Sequence, residues 1–354
     1  MTNSPAPYTL ISDNARRRAV GVFWALGAAI AVLAGGCLAV GSVDIPLSQI
    51  WASLTGGPVE RETWRIIILE TRLPMMITAA IAGGALSVAG LLLQTCFDNP
   101  LAGPSILGIS TGSSLGVAIV MLAFGGTLGT GWSNYGSAIA GAMIGAAAVL
   151  GLLLAFARAV KSGIMLLIIG VLVGYFASSA ISLLNFFSTQ EGVHSYVIWG
   201  LGNFSGSSLS RTGAFTAVTL PLIAASMLFI KPLNAMLLGA RYAASLGLDT
   251  DAVRRNLLIV AGLLTAFVTA FCGPIGFIGL IVPHIARITL HTSNHAVLLP
   301  ATALCGAAIG LLCALISVIP FTSGVMPVNA ITPIIGVPVI IYIIIARKRL
   351  LYFN

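Results

Sequence analysis

Two histidines, His291 and His295, stand four residues apart, a spacing that sets two imidazoles on one face of a helix for a metal ion. No glutamate follows His291, so the H-E-x-x-H pattern of metal-dependent hydrolysis is absent. The intervening Thr-Ser-Asn and the later Pro300 read as an exposed polar connection, and no metal site is assigned there or to His194 and His284. Glu60, Glu62 and Glu70 form the one acidic group, interleaved with Arg61, Arg65 and Arg72. That pattern suits solvated ion pairs better than the acid–base pair of a membrane enzyme. None of Lys161, Lys231 and Lys348 stands in Gly-Lys-[Ser/Thr], so no phosphate loop is present and ATP energy would have to come from another chain. Cys37, Cys96, Cys272, Cys305 and Cys313 lie in or beside apolar runs without C-x-x-C spacing and read as small buried hydrophobes. No residue is assigned a catalytic role.

The elements that carry these residues are dictated by solvent. The chain has 354 residues, 58% of them hydrophobic and only 7% charged. A soluble domain carries about 25% charged residues, so most of this surface must face lipid. In lipid every backbone N–H and C=O needs an internal partner, which leaves helices or a closed barrel. The apolar runs are continuous, without the alternation of barrel strands, and predict an all-α polytopic membrane protein. About ten transmembrane helices are expected, near 19–41, 72–95, 105–125, 135–157, 164–187, 212–231, 256–274, 275–290, 297–318 and 327–346. Gly273-Pro274 and Pro283 argue for two helices within 256–290 rather than one. Arg16, Arg17 and Arg18 precede an apolar run ending at Cys37, with the Leu one position too far from the Cys for a lipoprotein signal. Residues 19–41 are therefore expected to be a retained span. The domain organisation expected is a tail over 1–18, a single transmembrane domain over 19–346 and a second tail over 347–354.

Orientation follows from the basic residues. With both termini in the cytoplasm, thirteen of the 17 Lys and Arg residues fall inside, and Arg61, Arg65, Arg72 and Arg211 fall outside. This N-in, C-in arrangement obeys the positive-inside rule. The same clustering argues against a nucleic-acid partner, because the net charge of +8 sits in short groups between apolar runs. No Asp, Glu, Lys or Arg stands near the centre of an expected span, which counts against an ion-coupled secondary carrier. That carrier, moving a small organic solute, is the alternative to the reading below. Gly141-x-x-x-Gly145, Gly306-x-x-x-Gly310 and the stripe Gly83, Ser87, Gly90 would let helix backbones approach closely, within one bundle rather than as proof of a dimer. Two polar stretches remain, 42–71 outside and 231–255 inside. The second carries Leu233, Leu237 and Leu238, then Tyr242, Leu246 and Leu248, at helical spacing. Such short amphipathic helices either pack on the membrane surface and the rest of the chain or dock a partner.

Four segments in this order resemble the FecCD-type permeases, over nearly the whole chain after residue 40: Thr71-Arg72-Leu73-Pro74 with AAIAGGALSVAGLLLQ; Asn99-Pro100-Leu101-Ala102-Gly103-Pro104 with ILGISTGSSLG; LNAMLLGARYAASLG; and GPIGFIGLIVPHIAR with MPVNAITPIIGVPVIIY. The resemblance implies the membrane subunit of a binding-protein-dependent ABC importer for an iron–siderophore, haem or cobalamin-type chelate in the bacterial inner membrane. It also implies ten spans with an inverted repeat, of which Gly103-Pro104…Gly108 and Gly273-Pro274…Gly276 are a weak echo. Implied partners are two cytoplasmic ATPase subunits, which bind ATP and Mg, an extracytoplasmic binding protein, and a second permease copy, with a homodimer favoured over a heterodimer. No cofactor is implied in this chain. By the same resemblance Leu233, Asn234, Leu237, Gly239, Ala243, Leu246 and Gly247 would couple to the ATPase, although Ala240-Arg241 stands where many relatives are acidic. Arg72, with Arg61 and Arg65 as possible companions, would meet glutamates of the binding protein, or only anchor a helix end at the headgroups. Asn99 and Leu101 would belong to a cytoplasmic gate, or form a Pro-capped turn without a gating role. The fifth and tenth spans, about 164–187 and 327–346, would line the pathway.

Overall fold

The computed structural model describes residues 13–123, 132–160, 162–206, 208–319 and 325–351. Residues 1–12 and 352–354 of the expected tails, and Lys161, lie outside them. Among the described residues the chain is helical throughout, with no strand. The first part contains α1 (Asp13–Ala39), α2 (Leu47–Thr55), α3 (Glu62–Ile67), α4 (Leu73–Cys96), α5 (Ile109–Ala118), α6 (Trp132–Ala159) and α7 (Gly163–Phe187). Next come α8 (Gln190–Gly200), α9 (Leu209–Ser226), α10 (Ile230–Met236) and α11 (Ala240–Ser245). The last part contains α12 (Thr250–Cys272), α13 (Ile278–Leu290), α14 (His295–Ser317) and α15 (Val328–Leu351).

Among the described residues seven helical stretches are long and apolar enough to cross a membrane: Ala15–Ala39, Glu62–Cys96, Gly136–Ala159, Gly163–Phe187, Leu209–Met236, Thr250–Cys272 and His295–Ser317. Three shorter apolar helices, Ile109–Ala123, Ile278–Leu290 and Val328–Tyr342, occupy the places of the other expected spans. The break inside 256–290 is real. It uses Gly273 at φ 75° and Phe277 at φ 67°, both in the left-handed region.

Helix α4 is the axis of the fold. Its residues are buried almost without interruption from Thr78 to Cys96, and α14, α12, α13 and α9 pack around it. Small residues make this possible. A Cβ on Gly83 would strike the Gly306 carbonyl and come within 3.0 Å of Gly310 Cα, and a Cβ on Gly306 would strike the Gly83 carbonyl. Gly90 meets the Gly279 carbonyl of α13 in the same way. The Gly141 and Gly145 pair of α6 interlocks with Gly116 and Gly112 of α5. Backbones this close gain dispersion contacts that lipid cannot supply.

Several expected boundaries are corrected. The polar stretch 42–71 is largely helix: α2 and α3 close over a small core of Ile45, Ile50 and Ile68. A π-helical turn, Ile68–Arg72, then joins α3 to α4 without interruption. The apolar Ile66–Leu69 run lies behind this extension. Helix α12 begins six residues earlier than expected, because Asp249 caps it by accepting from Ala252 N at 2.9 Å. Its first turns bury Val253 and Leu257 while Arg255 stays exposed. Helix α8 was not expected at all. Thr189 caps it, accepting from Gly192 N at 3.2 Å. Helix α15 runs on to Leu351, so residues 347–351 of the expected C-terminal tail continue the helix. The segment His291–His295 is not a uniformly exposed connection: His291 is exposed at the end of α13, whereas His295 is fully buried at the start of α14.

Candidate functional site

At the end of the bundle where α4 finishes and α14 starts, the 231–255 segment folds into α10, α11 and the start of α12. Gly239 at φ 96° and Gly247 at φ 86° make the two sharp turns that set α11 between its neighbours. Leu233 and Ala243 are buried and hold the two short helices down. Leu237, Leu238, Tyr242 and Leu246 are 46–62% exposed and form an apolar face that none of the described residues covers. The seven expected coupling residues therefore divide by position. Leu237 and Leu246 are on the exposed face. Leu233 and Ala243 are beneath it. Gly239 and Gly247 shape it, and Asn234 fastens it.

The fastening is polar. Asn234 Oδ1 accepts from His295 N at 2.8 Å and from His295 Nδ1 at 3.0 Å. Its amide nitrogen donates to Asn294 Oδ1 at 2.9 Å, the same oxygen that caps α14 through Ala296 N at 3.0 Å. On the other side of the ring, His295 Nε2 lies 3.0 Å from Thr95 Oγ1 in the last turn of α4. A buried imidazole needs such partners, since an unpaired polar group away from water is costly.

The turn after α4 holds Asn99 and Leu101. Asn99 Oδ1 accepts from Leu101 N at 2.9 Å, an Asx turn. Asp98 is left-handed at φ 47°. His284 Nε2 lies 2.8 Å from the Pro100 carbonyl and fixes the turn to α13. Leu101 projects at its tip, 49% exposed. Arg287 Nη1 donates to Gln94 Oε1 at 2.6 Å, and Gln94 Nε2 donates to the Leu280 carbonyl at 3.0 Å, a second tie between α4 and α13.

At the opposite end, the three arginines expected to dock a partner are not equivalent. Arg72 is 4% exposed, with its guanidinium turned into the end of α1. It donates to the carbonyls of Leu38 at 2.6 Å and Ala39 at 2.9 Å, and also to Val43. A Cβ on Gly41 would come within 2.8 Å of this group, so the glycine makes room for it. In this geometry the Arg72 guanidinium faces the end of α1 and the backbone just after it rather than the surface. Arg61 is exposed and lies 5.2 Å from the Trp64 ring centroid, and Arg65 pairs with Glu62 at 3.6 Å while donating to the Gly57 carbonyl. Arg72→Met should destabilise the fold by about 2 kcal/mol, since hydrogen bonds from a charged donor are worth about 1.5–3 kcal/mol. A lower thermal unfolding midpoint of the purified chain checks this, and Arg72→Lys, with no fork, should recover only part.

A recess of about 510 Å³ lies among α5, α7, α8, the start of α15 and the break before α13. Hydroxyl and amide groups of Ser110, Ser114, Ser178, Ser182, Tyr196 and Asn329 line it, and among the described residues no Asp, Glu, Lys or Arg does. Asn329 also staples its floor, donating to the Pro274 carbonyl at 2.5 Å and accepting from Gly276 N at 3.1 Å. Among the described residues, no three His, Cys, Asp or Glu side chains come together as a metal site.

A model of the FecCD transport family matches residues 28–346, nearly the whole of this bundle. The chain belongs to the FecCD transport family. It is 34% identical over 284 residues to the vitamin B12 import system permease protein BtuC of Salmonella typhi, covering 80% of this chain and 85% of that protein. The BtuC of Salmonella newport gives the same values. Among solved structures, an ABC transporter assigned to the metal-chelate type, in an inward-facing conformation, superposes with a TM-score of 0.80 at 27% identity. That match covers 93% of this chain and 99% of the other. In this FecCD chain the motif residues were visible in the sequence, but the tie from Asn234 through His295 to Thr95 was not. The only signal was a polar pair, Asn294-His295, standing directly before an apolar run.

Proposed function

We infer that this chain is the membrane-spanning subunit of an ABC importer, moving a metal chelate of the cobalamin or siderophore type across the bacterial inner membrane. The observation that carries this is the uncovered apolar face of Leu237, Leu238, Tyr242 and Leu246 on a bundle otherwise built for lipid. Leucine and tyrosine side chains exposed at the polar end of a membrane protein gain most when a partner removes them from water. The partner is the ATPase subunit that this chain lacks. In this reading the α10–α11 end is cytoplasmic, as the positive-inside count requires. Asn99 and Leu101 gate that end, and two permease copies share one pathway.

The reading assigns the other end to the binding protein. Arg61 and Arg65 are the side chains available there, and exposed ion pairs of this kind steer docking more than they hold it. The recess serves as cargo wall. Its charge-free hydroxyl and amide lining offers weak, exchangeable hydrogen bonds, which let a bulky chelate pass without being gripped. Chemistry on the cargo has no place in this mechanism, since the chain contributes shape and motion while hydrolysis occurs in the partner.

Affinity purification of the tagged chain from cells that express its neighbouring genes tests the reading. An ATPase subunit should co-purify in equal number, with vanadate-sensitive hydrolysis. In proteoliposomes ATP should then drive uptake of cyanocobalamin or of a ferric tris-hydroxamate. Uptake that follows a proton or sodium gradient without an ATPase would instead establish the secondary carrier.

A further inference from the structure

We propose that His295 is a positioning residue that ties the ATPase-coupling helix α10 to the gate turn 97–104. Through it, movement of α10 reaches Asn99 and Leu101 by side chains rather than by α9 and α12, which flank the loop in sequence. The proposal rests on the reading of the chain as an importer subunit. It asks how the two ends of that reading communicate.

Each link is a contact described above. The Asn234 amide holds the backbone N and Nδ1 of His295 with one oxygen. The ring is fully buried, so water cannot replace either partner. Its far nitrogen meets Thr95, and Thr95 is the residue from which the turn departs: Asp98 N donates to the Thr95 carbonyl at 3.3 Å and Asn99 N to the Gln94 carbonyl at 3.0 Å. One rigid, planar side chain thus spans α10, α14 and the end of α4. The turn it reaches is gripped on its other side by His284. Its backbone includes Asp98 in a sparsely populated region for a residue with a side chain, an arrangement that persists only while its surroundings hold it. Coupling of this kind needs a contiguous set of contacts and an element with two arrangements, and the turn is the element that both grips bias.

The test uses the chain reconstituted with its ATPase subunits and carrying Leu101→Cys as a reporter. The five native cysteines are buried, so a water-soluble maleimide reads the introduced thiol. In the parent, ATP with vanadate should change the labelling rate. Thr95→Val removes one hydroxyl at nearly constant shape and lies away from the docking face. It should leave ATP hydrolysis at the parent value while reducing the ATP-dependent change in labelling about three- to tenfold. Thr95→Ser should restore it. If Thr95→Val responds to ATP as the parent does, or if the parent shows no ATP-dependent change, the proposal is overturned. A second arm needs no partner. Hydrogen exchange of residues 97–104 in the isolated chain should accelerate about threefold or more in Asn234→Leu, a substitution on another element. It should accelerate less in Asn234→Asp, which keeps the acceptor for His295 but loses the donor to Asn294 Oδ1. Unchanged exchange in Asn234→Leu refutes the link. If the parent recruits no ATPase, the functional reading fails in the first arm, and the second still decides whether His295 joins the two elements.

Discussion

Gly306→Val should prevent the chain from accumulating as a folded membrane protein. The Gly306 Cα sits against the Gly83 carbonyl and the Ser87 side chain of α4, and a Cβ there has nowhere to go without parting two helices. Ordinary overpacking of a core costs about 1–3 kcal/mol because side chains can shift. Here the obstacle is backbone, so the cost should exceed that range and approach the whole stability of a domain, about 5–15 kcal/mol. Yield of monodisperse protein in mild detergent is the measurement, expected to fall to the background. Gly151→Ala is the contrasting substitution. It sits on an exposed face of α6 with open space around the added methyl, and alanine is a better helix former than glycine by about 0.5–1 kcal/mol. That variant should match or exceed the parent. If Gly306→Val were produced and unfolded like the parent, the close approach of α4 and α14 would be wrong.

Leu238→Asp should separate this chain from its ATPase. Leu238 is 62% exposed, so the folded chain barely feels the change and should purify normally. In the docked state a carboxylate would be buried in an apolar contact, with opposite charge on these helices only at the edges, at Lys231 of α10 and Arg241 of α11. Central interface residues of this type are worth about 2 kcal/mol or more, roughly thirtyfold in affinity, before the cost of an unpaired charge is added. Co-purification of the ATPase should drop at least that far, and uptake of cyanocobalamin or a ferric tris-hydroxamate should vanish with it. Leu233→Asp would be uninformative, since that side chain is fully buried and its loss would unfold the loop. Retention of the ATPase by Leu238→Asp would place the dock elsewhere.

How far the sequence foretold this architecture depends on which force set each part. Span helices were legible because lipid imposes a long apolar run, and the α12–α13 break was legible because Gly273-Pro274 leaves the backbone few choices. The glycine pairs told that helices approach, and the structure supplied their partners, Gly83 for Gly306 and Gly116 for Gly141. The helical course of the 42–71 segment was not legible because its charges hid Ile66, Ile67 and Ile68. The surroundings of Arg72 were not legible for a related reason: a basic residue at a helix start looks solvent-facing until the carbonyls of Leu38, Ala39 and Val43 are seen around it. His295 was overlooked because its partners Asn234 and Thr95 are 61 and 200 positions away. Single-residue polar ties between distant elements leave no period or motif to detect.

The α4–α14 interlock also bears on how the protein is made. Helix α4 ends at Cys96 and α14 begins at His295, so roughly 200 residues must be synthesised between them. At about 5–20 residues per second, the glycine face of α4 waits some tens of seconds before its mate leaves the ribosome. During that interval Gly83 and Ser87 have no glycine face to fit against, and α4 must stay with lipid, the insertion machinery or the earlier helices. The most extensive helix contact in the finished bundle is thus among the last to close during biogenesis.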